Sequence, residues 1–435
     1  MNINTDVYQK RRKIVLSHLN NGVAVLFAAP EQRRSNDTYF AYRQDSYFYY
    51  LTGFNEPESA LILDGKTGQS ILFCRNKDQL RETWDGFRFG PQAAQEIFAF
   101  SKALPIDEFD EQLLSYLKGA DTVSLLLGLY PDQDQRVLQL WQKAKAQMWA
   151  GINAPKQFTD LSLVLNQMRL IKDEYELSLL KQAGAISAKA HIVAMQKTQP
   201  NQYEYQVEAE LLHTFVSHGA RYPAYESIVA SGKNACTLHY VNNQSLMKDS
   251  DLLLIDAGAE FQGYAGDITR TFPVNGVFSG AQKEVYEAVL NAQLATIAAI
   301  KPNISWQAVS DIALKALVQG LIDLKILSGT VEGAIESGAY KRFYMHGIGH
   351  WIGLDVHDVG GRFDEQGQPL LLQKGMCTTV EPGLYISAAD DVPKAFHNIG
   401  VRIEDNVVVT ELACEVYTAD VPKTVAQIEA LMKNQ

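Results

Sequence analysis

The 435-residue chain is 46% hydrophobic and 20% charged, the balance of a water-soluble globular protein with room for two or three domains. Its 39 Lys and Arg stand against 50 Asp and Glu, a net charge of −11 that argues against a cationic nucleic-acid-binding face. No apolar run reaches membrane-spanning length, Met1–Lys13 lacks the apolar stretch of an export signal, and the four cysteines form no CxxC pair, so a cytoplasmic protein without membrane contact, disulfide framework or thiolate metal site is expected.

The first 170 residues read as a mixed α/β domain. Val23–Ala28, Ser59–Leu63 and Ser70–Phe73 are short apolar runs bounded by Gly and Asn, as strands are. Helical stretches near Asp6–Leu19, Ala93–Phe98 and Gln133–Lys145 alternate with them. Charge is balanced in this part, with 19 basic and 19 acidic residues up to Leu170, so the whole −11 falls on residues 171–435. A carboxylate-lined cation site is compatible with that excess, as is a solvated acidic surface.

The second domain, 171–435, opens on a helix. Asp173 with Glu176 makes a capping-box start, and Leu177, Leu180, Gly184, Ala188, His191 and Met195 follow at helical spacing. A second helix from Glu204 stops at Gly219. Ser279 with Gln282 opens a third, and Ser305 precedes a fourth that carries Val309, Ile312, Ala316 and Leu317 on one face. Strands are expected at Asp251–Ala257, Tyr264–Val274, Tyr344–Leu354, Met376–Tyr385 and Val401–Thr410. Two helices followed by strands, twice over, suggest an internally duplicated α+β domain.

The acids and histidines lie at the centres of these strand-like segments. Asp256 and Asp267 are nearly symmetric about Gln262-Gly263, so a hairpin would set them opposite one another on one face. Like charges across a ladder destabilise it unless a cation lies between them. His346, His350 and His357 fall within twelve residues, although the chain has only nine histidines. Glycines at 347, 349 and 353 disfavour a helix there, and on a strand His346 and His350 share a face. Glu381 closes a strand that Pro382-Gly383 terminates, and Arg402 and Glu404 share a strand face opposite Ile403. Taken alone, Arg402 and Glu404 read as a surface ion pair. Together, Asp256, Asp267, His350, Glu381 and Glu404 offer four carboxylates and an imidazole. That set neutralises two divalent cations and favours Mn²⁺, with Zn²⁺, Co²⁺ or Fe²⁺ possible. Two such ions roughly 3.5–4 Å apart can activate water and stabilise charge on an attacked carbonyl.

The order Asp, Asp, His, Glu, Glu, set in IDAG, GYAGDITRTFPV, HGIGHWIGLDVHD, TVEPGLY and VRIED, resembles the pita-bread metallopeptidases. Gln32–Ser35, Tyr42-Arg43-Gln44, Tyr50–Pro57 and Arg221–Pro223 are similar to bacterial aminopeptidase P, so the resemblance covers nearly the whole chain. It implies a pita-bread α+β catalytic domain behind a smaller creatinase/prolidase-like domain, and release of an N-terminal residue that precedes proline. It also implies that Asp256 and Asp267 ligate one metal, that Asp267, His350 and Glu404 ligate the other, and that Glu381 and Glu404 bridge. His239, His346 and His357 match the family's non-ligand histidines, which bind substrate and shuttle protons. Arg402 and Tyr385 match positions that steady the site, Glu381 handles the proton, and Gly349 is given no role. Asp37 and Trp84 match positions that the family places near substrate entrances, which suggests a homo-oligomer, whereas a lone Trp is more often core.

Four other readings compete. A dipeptidase for Xaa-Pro shares the ligand order and the N-terminal domain. Methionine aminopeptidase lacks that domain, and creatinase-like hydrolases lack the ligands. A non-catalytic peptide-binding module on the same fold would have lost ligands, and none is lost here.

Overall fold

A computed structural model of the chain describes residues 4–151, 153–364 and 366–433. They form two compact units, the first ending at Met168 and the second beginning at Arg169.

The first unit is built on a six-stranded sheet in the order Lys102–Pro105, Gln69–Cys74, Ala60–Asp64, Val23–Phe27, Thr122–Leu125, Gln157–Asp160. Every residue of Val23–Phe27 and Ala60–Asp64 is buried, which explains why these strands read as unbroken apolar runs rather than alternating ones. Val25, Ile62, Ile71 and Phe73 pack against Phe109, Leu113 and Leu117 of one helix and Val137 and Leu140 of another. Phe109 meets Phe27 and Phe73 edge to face, with centroids 5.3 and 5.2 Å apart. The helices expected near Asp6, Ala93 and Gln133 run over Thr5–Leu19, Gly90–Phe98 and Pro131–Lys145. Trp84 is not a core residue: it lies 87% exposed on the short helix Gln79–Asp85, with Leu80 80% exposed one turn earlier.

The second unit begins with the helix Glu174–Lys197, whose capping box is formed by Asp173 and Glu176. Satisfying two end N–H groups this way contributes about 1 kcal/mol. This helix packs on Glu204–Ser217, and a second pair, Gly280–Ala299 and Trp306–Asp323, packs likewise. On the last helix Val309 and Leu317 are buried with Ala313 and Leu321, while Ile312 and Ala316 are only half-buried. The apolar stripe is thus turned slightly from the expected face.

Short antiparallel sheets lie between the helix pairs. Leu252–Asp256 is the centre of one, between Ile228–Ser231 and Thr269–Pro273. Cys377–Val380 pairs with Asp405–Val409, and Gly383–Ile386 pairs with Ile399–Arg402. Leu253, Ile255, Phe272, Leu384 and Val401 share one core with Phe215, Val285 and Val289 of the helices. Trp306, Trp351, Met376, Val380 and Val407 form a second.

Three expectations fail here. Tyr344–Leu354 forms no strand, and its one ladder contact is the isolated bridge of Trp351 with Thr378. The segment instead lies closely on its neighbours: a Cβ on Gly349 would sit 2.2 Å from the carbonyl oxygen of Thr379, and one on Gly353 would sit 2.1 Å from Asp358. Gly349, expected to have no role, is therefore where two backbones touch. Asp256 and Asp267 are also not ladder partners. Asp256 pairs with Thr269, and the hairpin at Gln262-Gly263 is a separate sheet in which Glu260 pairs with Ala265. Finally, Met376–Tyr385 and Val401–Thr410 are each broken, at Glu381-Pro382 and at Ile403-Glu404.

Candidate metal centre

Those breaks place the functional side chains. Asp256 ends its strand, Asp267 lies in the gap before Thr269, and Glu381 and Glu404 occupy the two gaps just described. A residue between strands escapes the in–out alternation of the ladder, so its side chain can point where the neighbouring sheet requires. His350 is fixed beside them because its N–H donates to the Thr379 hydroxyl at 3.1 Å and its carbonyl accepts from the Thr379 N–H at 2.9 Å.

All five expected donors line one cavity of about 520 Å³, together with His239, His346, His357 and Arg402. Donor atoms of Asp267, His350 and Glu404 lie within 4.8 Å of one another. His350 Nε2 is 3.4 Å from Asp267 and 3.8 Å from Glu381. Its Nδ1–H donates to the Trp351 carbonyl at 3.0 Å, which leaves Nε2 as the nitrogen facing the carboxylates. Asp256 joins through Tyr225, whose hydroxyl is 2.6 Å from Asp256 and 2.5 Å from Asp267. One hydroxyl hydrogen serves one carboxylate at a time, so the other oxygen needs a proton or a cation.

The electrostatics agree. Burial raises the Glu404 carboxyl well above its ordinary value, and Asp267, Glu381 and Asp256 push it further. Burial likewise raises Asp267, against the pull of His350. Glu381 is pushed up to about 7 by burial, although His350 and Arg402 pull it down. For His350, burial alone would lower the pKa, but the hydrogen bond and charge of Asp267 lift it to about 9. The cluster draws positive charge to its centre. A donor set of carboxylates and one imidazole, buried and short of counter-charge, fits divalent cations.

Arg402 is not half of a surface ion pair; it is 4% exposed and its guanidinium is fully engaged. Nη2 donates to Asp256 at 2.6 Å, Nη1 to the Tyr385 hydroxyl at 2.9 Å, and Nε to Thr269 at 3.1 Å. Tyr385 passes the chain on to His346 Nε2 at 2.8 Å, and His346 Nδ1–H donates to the Gly347 carbonyl at 2.7 Å. Nδ1 of His346 therefore carries a hydrogen, and burial lowers the pKa of the ring to about 4, with Arg402 adding to the effect. His357 lies edge-on to His350 at 4.3 Å, its pKa lowered by burial and by His350. His239 is exposed on the cavity wall.

The model of metallopeptidase family M24 matches residues 178–411, and that of the aminopeptidase P N-terminal domain matches residues 8–125. The chain belongs to metallopeptidase family M24. Among M24 relatives, the Xaa-Pro aminopeptidase of Haemophilus influenzae is 46% identical, over 98% of this chain and 96% of its own length. The solved aminopeptidase PepP of Pseudomonas aeruginosa has a TM-score of 0.97 at 45% identity, covering 99% of this chain and 98% of its own. A zinc-substituted Escherichia coli aminopeptidase P in complex with product has a TM-score of 0.96 at 43% identity, covering 100% and 99%. Full-length likeness at this level places the M24 chain in the aminopeptidase P fold, with an α/β domain ahead of the metallopeptidase domain.

Sequence reasoning missed three residues of the site. Tyr225, one of 20 tyrosines, has no local signal. Asn406 does have one, a polar Asp405-Asn406 pair inside an otherwise apolar strand. Its side-chain oxygen accepts from the Asp267 N–H at 2.9 Å and its amide donates to the Asp267 carbonyl at 2.6 Å, pinning that gap residue from both sides. Arg362 lines the cavity from the loop after His357.

Proposed function

We propose that the centre is a dinuclear site, held by Asp256, Asp267, His350, Glu381 and Glu404 and loaded with Mn²⁺. Its reaction is removal of an N-terminal residue that precedes proline. The observation that supports this best is the convergence of four carboxylates and one imidazole in a single cleft of an M24 chain. When bound, the cations supply Lewis acidity and lower the pKa of water near neutrality.

The side chains do the rest. Glu381, beside His350 at the centre of the cleft, accepts the proton of the attacking water as its oxygen bonds to the first carbonyl carbon. The bond to the proline nitrogen then breaks, and that nitrogen must be protonated as it leaves. His239 and His357, both exposed to the cleft, are the donors. The proline nitrogen carries no N–H, so the site needs no acceptor there. Neutral His346, held by Tyr385 and Arg402, orients the substrate rather than carrying charge.

A dipeptidase for Xaa-Pro would need a fixed cation for the proline carboxylate; Arg402 is already committed to Asp256, Tyr385 and Thr269, so that reading would have to use Arg362 on the same cavity wall. Measuring kcat/KM for Xaa-Pro-Yaa-Zaa against Xaa-Pro, with Mn²⁺ present, decides the matter. The longer peptide is expected to be cleaved at least as well; hydrolysis of the dipeptide alone would replace this reading with the dipeptidase.

We also propose a cytoplasmic homo-oligomer. Leu80 and Trp84, four residues apart on one helix face, expose apolar surface that a partner subunit would cover. Sedimentation is expected to show an assembly that Trp84→Ala weakens; a fully active monomer rules the assembly out.

A further inference from the structure

Glu204 opens the helix Glu204–Ser217, is 0% exposed, and lies outside the lining of the metal cleft. Its carboxylate accepts five hydrogen bonds, all from neutral donors. Oε1 accepts from the Ser231 N–H and the Ser231 hydroxyl, both at 2.7 Å, and from the Asn234 amide at 2.9 Å. Oε2 accepts from the Tyr240 hydroxyl at 2.8 Å and from the Ser245 N–H at 2.9 Å. Burying a carboxylate is costly unless its lone pairs are met in this way.

The donors belong to one loop. Ser231 ends the strand Ile228–Ser231, Ser245 lies where the loop returns to the helix, and Tyr240 stands between them. The Glu204 N–H also donates to the Ser245 carbonyl at 3.0 Å, so main chain and side chain hold that end together. Asn243 folds the loop back on the strand, accepting from the Val229 N–H at 3.0 Å and donating to the Ser227 carbonyl at 2.8 Å. Within the loop, Leu238 and Tyr240 pack against Ile228, Ala230, Leu254 and Tyr385. With both neighbours turned inward, His239 is the side chain left facing the metal cleft. Only a carboxylate, with two oxygens and no hydrogen of its own, gathers donors from the start, middle and end of such a loop.

We infer that Glu204 is a positioning residue for the reaction: it fixes the loop 231–245, and through Tyr240 it holds His239 on the cleft wall. This inference rests on the exopeptidase activity, and on the donor role of His239, proposed above. Loosening the loop lets His239 leave the place from which it protonates the departing proline nitrogen. A displacement of about 1 Å is enough to cost up to a hundredfold in rate. The peptide itself is held by other walls of the cleft, so the effect falls on kcat rather than on KM.

The test is a double-mutant cycle on the metal-loaded enzyme with Ala-Pro-Ala-Ala as substrate. Glu204→Gln turns one acceptor into a donor that faces other donors, and is expected to lower kcat about tenfold. Tyr240→Phe removes only the tie beside His239 and should lower kcat about threefold. KM stays within about twofold in both, and metal content is unchanged. In a His239→Ala background both losses vanish, because nothing remains to be positioned. The same loss with and without His239, or near-normal kcat in the folded variants, overturns this inference and leaves the proline-directed activity standing. Where Glu204→Gln does not fold, Tyr240→Phe decides alone. Absence of cleavage by the unaltered enzyme overturns the proposed activity and this inference with it, and an undiminished kcat in His239→Ala overturns the donor role and this inference. Amide hydrogen exchange gives a reading free of activity: Tyr240→Phe should speed exchange of residues 237–245 about tenfold, with other segments unchanged. Unchanged protection of that loop again overturns the inference.

Discussion

Two groups of buried acids lie in the same unit and stand in opposite electrostatic states. At the metal centre Asp267, Glu381 and Glu404 face one another, and burial raises all three. Elsewhere Asp358 and Asp405 are as deeply buried and are lowered instead. Burial pushes each up, but Lys172 and Arg169 at 2.9 and 2.6 Å more than offset it for Asp358. Arg270 and Lys423, at 2.8 and 2.7 Å, do so for Asp405. Burial alone therefore does not mark a functional acid. What separates the groups is whether the protein supplies its own cation.

Removing one of the proposed donors at the metal centre should have the largest effect. Asp256→Ala, His350→Ala and Glu404→Ala are each expected to lower kcat/KM roughly a thousandfold or more, with the fold intact. Metal analysis beside far-UV circular dichroism checks this. Near-normal turnover and metal content in any of them removes that residue from the ligand set.

The second group should respond in stability instead. Asp358→Ala strips Arg169 and Lys172 of their shared carboxylate and should cost about 3–5 kcal/mol. Denaturant titration measures the loss. The sign with pH follows from the lowered folded pKa. The contribution is complete above the unfolded value of about 3.9 and disappears as pH falls through the folded value. A loss on raising pH would contradict the pairing.

His191 sharpens the comparison with a smaller effect. It is fully buried behind Asp256, with Nε2 3.0 Å from the Ala257 carbonyl, and burial lowers its pKa to about 4. The folded state thus resists its protonation. Stability is full above the unfolded value of about 6.5 and falls by roughly 3 kcal/mol as pH drops towards 4. His191→Gln should flatten that slope in thermal unfolding between pH 7 and 4.

Much of this was legible in the sequence, and what was not has physical reasons. Propensity and capping rules located the helices because their signals are local: Asp173 and Glu176, Ser279 and Gln282 all act within one turn. The proposed donors stood out in the sequence because charged residues inside apolar runs need partners. Strand register was not. The Asp256–Asp267 hairpin was expected to be one ladder, yet the chain passes from one sheet to another where Gly258 and Gly266 touch; a Cβ on Gly258 would lie 1.7 Å from the Gly266 carbonyl oxygen. The Tyr344–Leu354 segment misled for a related reason, since its glycines serve close approach rather than a pleat. Tyr225 and Arg362 were invisible because nothing beside them in sequence announces where they point.

Of the proposed metal donors, Asp267, Glu381 and Glu404 lie in gaps between separate short sheets and Asp256 ends a strand, and none of those sheets needs the others in order to hydrogen-bond internally. The centre therefore works as a fastener across a seam. Slight loosening of that seam would scatter the donors while leaving each hairpin intact. In a denaturant titration the protein should release its metal before it loses ellipticity, so loss of activity would report slackening of the domain well ahead of its unfolding.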